Sequence, residues 1–123
     1  MIKQPHLSII IPFLDEAESL PELYTWIVRV LEAASISFEL ILVDDGSTDT
    51  SWAWVKEVTT SDKRVQGIRF LRNYGKSQAL HAGFLHCKGD VVCTMDADLQ
   101  DSPEELPDLY RLIAKGDYDM ISG

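Results

Sequence analysis

Asp96 and Asp98 stand one residue apart, directly after the apolar run Val91-Val92-Cys93-Thr94-Met95. Two carboxylates about 4 Å apart repel by roughly 4 kcal/mol at an effective dielectric of ~20, so keeping both ionised beside an apolar strand calls for a cation. Oxygen donors point to Mg2+ or Mn2+, ions that keep part of their coordination shell for water and substrate phosphates. The chemistry this predicts is capture of a diphosphate ligand through a divalent metal. Three further segments carry polar groups and glycines after apolar runs: Pro12 to Glu16, Asp44 to Ser47, and Arg72 to Lys76. Each has a plainer reading taken alone. Asp44-Asp45-Gly46-Ser47 suits a turn between a strand and a helix. Asp96 and Asp98 suit a solvated approach to a helix cap at Ser102, and Arg72 and Lys76 suit surface charges.

The elements that must position these segments follow from periodicity. Leu7 to Pro12, Phe38 to Val43, Val65 to Leu71 and the run ending at Met95 are continuously apolar or nearly so, as strands buried on both faces are. Between them lie helical stretches. Ser19-Leu20-Pro21-Glu22 has the form of a capping box, followed by a stripe of Leu20, Leu23, Ile27, Val30, Leu31 and Ala34. Asp49 to about Thr59 and Lys76 to His86 read as the second and third helices, Ser102-Pro103-Glu104-Glu105 opens a fourth, and Tyr118 to Ser122 begins a fifth strand. Such alternation predicts an α/β fold, a mostly parallel sheet reached by right-handed crossovers and covered by helices on both faces. Ligands in these sheets gather beyond the carboxyl ends of the strands, where all four polar segments fall.

Composition narrows the classes. A chain of 123 residues suits one domain, and 46% hydrophobic residues supply one packed core. A formal charge of −9 disfavours nucleic acid, whose binders need clustered Lys and Arg. Cys87 and Cys93 form no disulfide framework or metal spacing and read as reduced core residues. His6, His81 and His86 show no ligand spacing, and Trp26, Trp52, Trp54 and Met95 read as packing residues. No apolar stretch approaches the ~18 residues that span a bilayer, and Met1 to Lys3 opens no signal peptide, so a soluble, cytoplasmic chain is expected.

Pro12-Phe13-Leu14-Asp15-Glu16, Val43-Asp44-Asp45-Gly46-Ser47-Thr48-Asp49, Arg72-Asn73-Tyr74-Gly75-Lys76 and Asp96-Ala97-Asp98-Leu99-Gln100-Asp101-Ser102-Pro103-Glu104 stand in the order and spacing of the family 2 glycosyltransferases. The chain resembles their polyprenyl-phosphate, dolichol-phosphate mannose synthase-like branch, and four motifs in register are far more specific than one. The resemblance implies a Rossmann-like GT-A fold, truncated here, with residues 1–123 as the N-terminal donor-binding part and the acceptor part absent. It further implies inverting transfer of a hexose from a GDP- or UDP-sugar to a polyprenyl phosphate, with Mg2+ or Mn2+ required.

Carried over by position, Pro12, Leu14 and Glu16 resemble part of the nucleoside pocket, with Leu14 where the family often has tyrosine and Asp15 where it usually has asparagine. Leu42 and Asp44 join them, Asp44 as an acceptor for the base or ribose. Asp45 is counted with the donor site and, with Gly46 and Ser47, holds the turn. Asp96, Ala97 and Asp98 resemble the diphosphate shell, with Asp96, Asp98 and Gln100 as metal ligands and Lys76 as a nearby positive charge. No catalytic base is assigned: any base is expected with the acceptor part, outside these residues, and a polyprenyl phosphate, arriving as an anionic nucleophile, makes a dedicated one dispensable.

Rival classes stay open at this level. A phosphoacceptor receiver-type signalling module shares the alternation and an acidic metal site, but carries its acidic pair after the first strand. A dehalogenase-type phosphatase also ends its first strand in Asp-x-Asp. A fragment that binds a nucleotide sugar and transfers nothing is the third. Truncation predicts an exposed sheet edge, marginal stability or self-association through it, and a longer parent at the cytoplasmic face of a membrane.

Overall fold

The computed structural model describes residues 5–115. Within them, β1 (Leu7–Phe13), β2 (Phe38–Asp44), β3 (Val65–Arg69) and β4 (Val91–Thr94) form one sheet in the order β3-β2-β1-β4. Every pairing is parallel. The expected strand at Tyr118 to Ser122 lies outside the described residues.

Both central strands are buried along their whole length, which explains why they are apolar on both faces except at Ser8, Glu39 and Asp44. Their side chains alternate between two cores. Ile9, Ile11, Leu40 and Leu42 join the larger core with Leu23, Ile27 and Leu31 of α1 (Ser19–Ala33) and Val55 of α2 (Ser51–Ser61). Leu106, the first residue of α4 (Leu106–Ala114), closes that core. On the opposite face Ile10, Ile41 and Val43 meet Ala79 of α3 (Lys76–Phe84). Helices therefore cover both faces, as expected. β1 pairs with β2 on one side and β4 on the other, so the order of strands reverses at β1 and opens a crevice beyond its carboxyl end.

The amino end of the sheet is tied by a buried carboxylate that periodicity does not reveal. Glu39 Oε2 accepts the Ser8 hydroxyl and the Lys88 N–H, each at 2.6 Å, and Ser8 Oγ accepts the Gly89 N–H at 2.8 Å. This joins β1, β2 and the turn before β4, fixing the strands opposite the crevice.

Several boundaries differ from the sequence reading. The capping box at Ser19 does not form: Glu18 is the N-cap, and the Ser19 hydroxyl donates to Glu16 Oε2 at 2.6 Å. The reason is that the chain already turns at Glu16, whose carbonyl accepts the Leu20 N–H at 3.0 Å. β3 ends at Arg69 rather than Leu71, leaving Leu71 94% exposed. β4 ends at Thr94, although the Met95 N–H still reaches the Ile10 carbonyl at 3.0 Å. Ser102 caps a short 3-10 turn, its hydroxyl accepting the Glu104 N–H at 3.3 Å, and α4 follows at Leu106. Cys93 is buried and Cys87 half-buried, both free. Burial pushes their thiols up to about 12 and about 11, so they are protonated and unreactive at neutral pH.

Candidate functional site

Two loops at the carboxyl end of the sheet, one after β1 and one after β2, are zipped together by reciprocal hydrogen bonds. Asp15 stands at φ 53, a left-handed conformation that aspartate tolerates better than most residues. Its N–H donates to Ser47 Oγ at 2.8 Å, while its Oδ1 accepts the N–H groups of Thr48 at 2.8 Å and Asp49 at 3.2 Å. An asparagine oxygen could take the same bonds, so the departure at this position preserves an acceptor role. In return Ser51 Oγ accepts the Glu16 N–H at 3.1 Å and Asp49 Oδ2 the Ala17 N–H at 3.3 Å. Desolvation pushes the Asp49 carboxyl up, but hydrogen bonds from Ser51 and Ala17 outweigh it and hold it below the usual carboxylate range.

Asp44 and Asp45, adjacent in sequence, do different things. Asp44 ends β2 fully buried; its Oδ1 accepts the Ser47 N–H at 2.6 Å. Its Oδ2 is the one buried side-chain oxygen or nitrogen among the described residues without a hydrogen-bond partner. A buried acceptor left unpaired costs about 1–3 kcal/mol, so this oxygen is poised for a donor. Asp45, by contrast, is already engaged. Its Oδ1 accepts the Tyr74 N–H at 2.8 Å and its Oδ2 the Gly75 N–H at 3.1 Å. Gly46 makes that approach possible: at φ +91, a Cβ there would lie 2.5 Å from the Arg72 carbonyl carbon.

The fourth segment is open to solvent. Asp96 Oδ1 takes the Lys76 ammonium at 2.8 Å, and the Asp96 N–H donates to Asp101 Oδ2 at 3.3 Å. Asp98 is exposed and its Oδ1 accepts the Gln100 N–H at 3.2 Å across a tight turn with Leu99 at φ 67. The hydrogen bond and charge of Asp96 raise the Lys76 pKa, with Asp101 and Asp98 adding to it. Among the described residues no group of three carboxylate, thiol or imidazole side chains is placed to hold an ion; the expected set of Asp96, Asp98 and Gln100 is two carboxylates and an amide on the loop after β4. The charge is met instead by Lys76 and by backbone amides. The donor chemistry still fits a hard divalent cation, being all oxygen, and the ammonium on Asp96 is a cation already drawn to it.

Residues 8–123 match the profile of Glycosyl transferase family 2. The chain belongs to that family. It is 45% identical over 112 residues to an undecaprenyl-phosphate 4-deoxy-4-formamido-L-arabinose transferase of Salmonella choleraesuis, covering 90% of this chain and 33% of the relative. A transferase of the same name from Pseudomonas fluorescens is 44% identical over 117 residues, 94% of this chain and 34% of its own. The chain therefore spans about a third of the length of the curated relatives it matches. Among solved structures, the mannosyltransferase PcManGT of Pyrobaculum calidifontis, in complex with GDP-Man and Mn2+, aligns with a TM-score of 0.74 at 24% identity, over 89% of this chain and 33% of that one. S. aureus TarS aligns with the same score at 22% identity, over 89% of this chain and 32% of that one. The fold is the GT-A fold of glycosyltransferases.

In this family 2 chain the expected donor residues separate by location. Glu16, Asp45, Asp96 and Asp98 lie in the loops around the crevice, Asp44 at the end of β2 and Lys76 at the start of α3. Leu14 is 43% exposed at its rim. Pro12 is buried within β1, while Leu42 and Ala97, at 1% and 4% exposure, put their side chains into the larger core. The sequence reading missed Asp49, Ser51 and Asp101 as the partners that set these loops. Asp49 is legible in sequence only as the end of the Val43 to Asp49 motif and, with Ser51, as the start of a helix, because their partners lie over thirty positions away.

Proposed function

We propose that this chain is the nucleotide-sugar-binding part of a glycosyltransferase that moves a glycosyl group from a nucleoside-diphosphate sugar to a polyprenyl phosphate. The observation that carries the reading is the unpaired Asp44 Oδ2, a buried acceptor at the carboxyl end of β2, where parallel sheets bind nucleotides. A ring N–H or ribose hydroxyl is the donor it lacks. Family membership agrees, and it sets aside the receiver-type module and the phosphatase. The curated relatives are named for undecaprenyl phosphate as acceptor, and structural neighbours hold GDP-Man with Mn2+, UDP and UDP-GlcNAc. Those relatives are named for an arabinose derivative, a five-carbon sugar, so the transferred glycosyl group need not be a hexose.

In this reading Asp44 holds the nucleoside, and Glu16 and the zipped loops shape its pocket. Asp96 and Asp98, with Gln100, would hold Mg2+ or Mn2+, which would supply offsetting charge for the departing nucleoside diphosphate. The acceptor phosphate attacks the anomeric carbon from the face opposite the leaving group, which inverts configuration. An anionic oxygen needs no general base. A nucleotide-sugar-binding part that transfers nothing by itself is the second reading, favoured by the one-third coverage of the relatives.

Calorimetric titration with GDP and with UDP, each with and without Mn2+, tests the site. Metal-dependent binding of one nucleotide, lost in Asp98→Ala, is expected. A folded chain that binds neither would sink the proposal that these residues form a donor pocket.

A further inference from the structure

Lys76 occupies an unusual place for a cation. It is the first residue of α3, where the partial positive charge of the helix terminus disfavours a positive side chain, and no side chain caps that terminus. Its ammonium is held there from across the crevice by Asp96 Oδ1 at 2.8 Å. The loop that delivers it is not free to move it elsewhere. Asp45 grips the N–H groups of Tyr74 and Gly75, and Gly75 turns the chain into α3 at φ 104.

We propose that Lys76 is an exchangeable counter-ion: it occupies the Asp96 carboxylate while the site is empty, yields it to the divalent cation, and swings to the diphosphate that the cation brings. The inference rests on the donor-site reading above and deepens it. An ammonium and a divalent cation held on the same Asp96 carboxylate repel one another, so the two compete. The diphosphate, in turn, is an anion arriving beside a helix terminus that favours anions and beside a lysine that has just lost its partner. Metal and nucleotide therefore assist one another. Each is bound more weakly alone than in the other's presence, because only together do they leave every charge matched. Lys76 is in this sense a positioning residue for the ligand pair.

The test is Mn2+ binding to the chain alone, read from the electron paramagnetic resonance signal of free Mn2+. Wild type, Lys76→Met and Lys76→Arg are compared, first without nucleotide and then with whichever of GDP and UDP binds. Without nucleotide, Lys76→Met is expected to bind Mn2+ about three- to tenfold more tightly, an exposed ion pair and a like charge having been removed. At saturating Mn2+ the same variant is expected to bind the nucleoside diphosphate about tenfold more weakly, while Lys76→Arg stays within about twofold of wild type in both measurements. A Lys76→Met chain whose Mn2+ affinity without nucleotide is unchanged or lower, alongside normal wild-type binding, overturns the exchange and leaves the donor site standing. Wild type that is folded by circular dichroism and binds neither Mn2+ nor nucleotide overturns both.

Discussion

The Asp45 carboxylate accepts the backbone N–H groups of Tyr74, at 2.8 Å, and Gly75, at 3.1 Å, thirty residues along the chain. This one side chain couples the loop after β2 to the entry of α3, and so sets where Lys76 stands relative to Asp96. Removing it strands two amides. Asp45→Ala is expected to cost about 1–3 kcal/mol of stability. Urea denaturation measures that loss, and hydrogen exchange should show faster exchange at the Tyr74 and Gly75 amides than elsewhere. Unchanged exchange at those two amides would mean that the loop is held by other contacts.

Asp44 should behave in the opposite way. Asp44→Asn keeps an oxygen for the Ser47 N–H and replaces the unpaired Oδ2 with an amide group. Stability is expected to hold or rise by up to about 1 kcal/mol, since a residue strained for binding is often suboptimal for folding. Nucleotide binding is expected to weaken at least tenfold, about 1.4 kcal/mol, as an acceptor becomes a donor. Paired denaturation and titration experiments read both; a variant that binds normally would remove Asp44 from the donor pocket.

Gly46→Ala tests the close approach of the two loops. The methyl group would meet the Arg72 carbonyl carbon at 2.5 Å, and the φ of +91 disfavours any side chain. A loss of about 2 kcal/mol or more is expected in a denaturant melt, with nucleotide binding falling alongside it. A variant with wild-type stability would show that the loop after β3 can lift at little cost.

The pH dependence of stability centres away from the site, on Asp62 at the end of α2. Arg64 donates to it from its Nε at 2.9 Å and Tyr24 from its hydroxyl at 2.6 Å. Hydrogen bonding from Arg64 is the main cause that lowers the Asp62 pKa to about 2 from the usual 3.8, against the desolvation that raises it. A depressed folded-state pKa adds stability that is complete above about pH 4 and is lost as the pH falls through about 2. Discounted for the solvent around Arg64, the contribution is about 1–2 kcal/mol. The stability gap between wild type and Asp62→Asn should therefore be widest near neutral pH and shrink between pH 4 and pH 2. A gap that stays constant over that range would refute the assignment.

Periodicity alone determined the strands, the helices and the ends at which polar groups collect. Leu7–Phe13 and Phe38–Asp44 are largely apolar along both faces, Ser8, Glu39 and Asp44 apart, because each must be covered twice, and that pattern specifies a parallel sheet between helix layers. The four strand-end motifs also carried the family, since their order and spacing are properties of the chain itself. Tertiary structure decided what each polar side chain is free to do. Asp44 and Asp45 are chemically identical neighbours, yet one keeps a buried oxygen unpaired and the other is spent on the loop before α3. Ser19 fits a capping box by sequence but turns back to Glu16, while the amides of Glu16 and Ala17, in the loop before α1, are met by Ser51 and Asp49. Lys76 reads as a surface charge until the crossovers bring it to Asp96. Local patterns record which face of an element is buried; hydrogen bonds between loops thirty residues apart depend on strand order and register, which no local window contains.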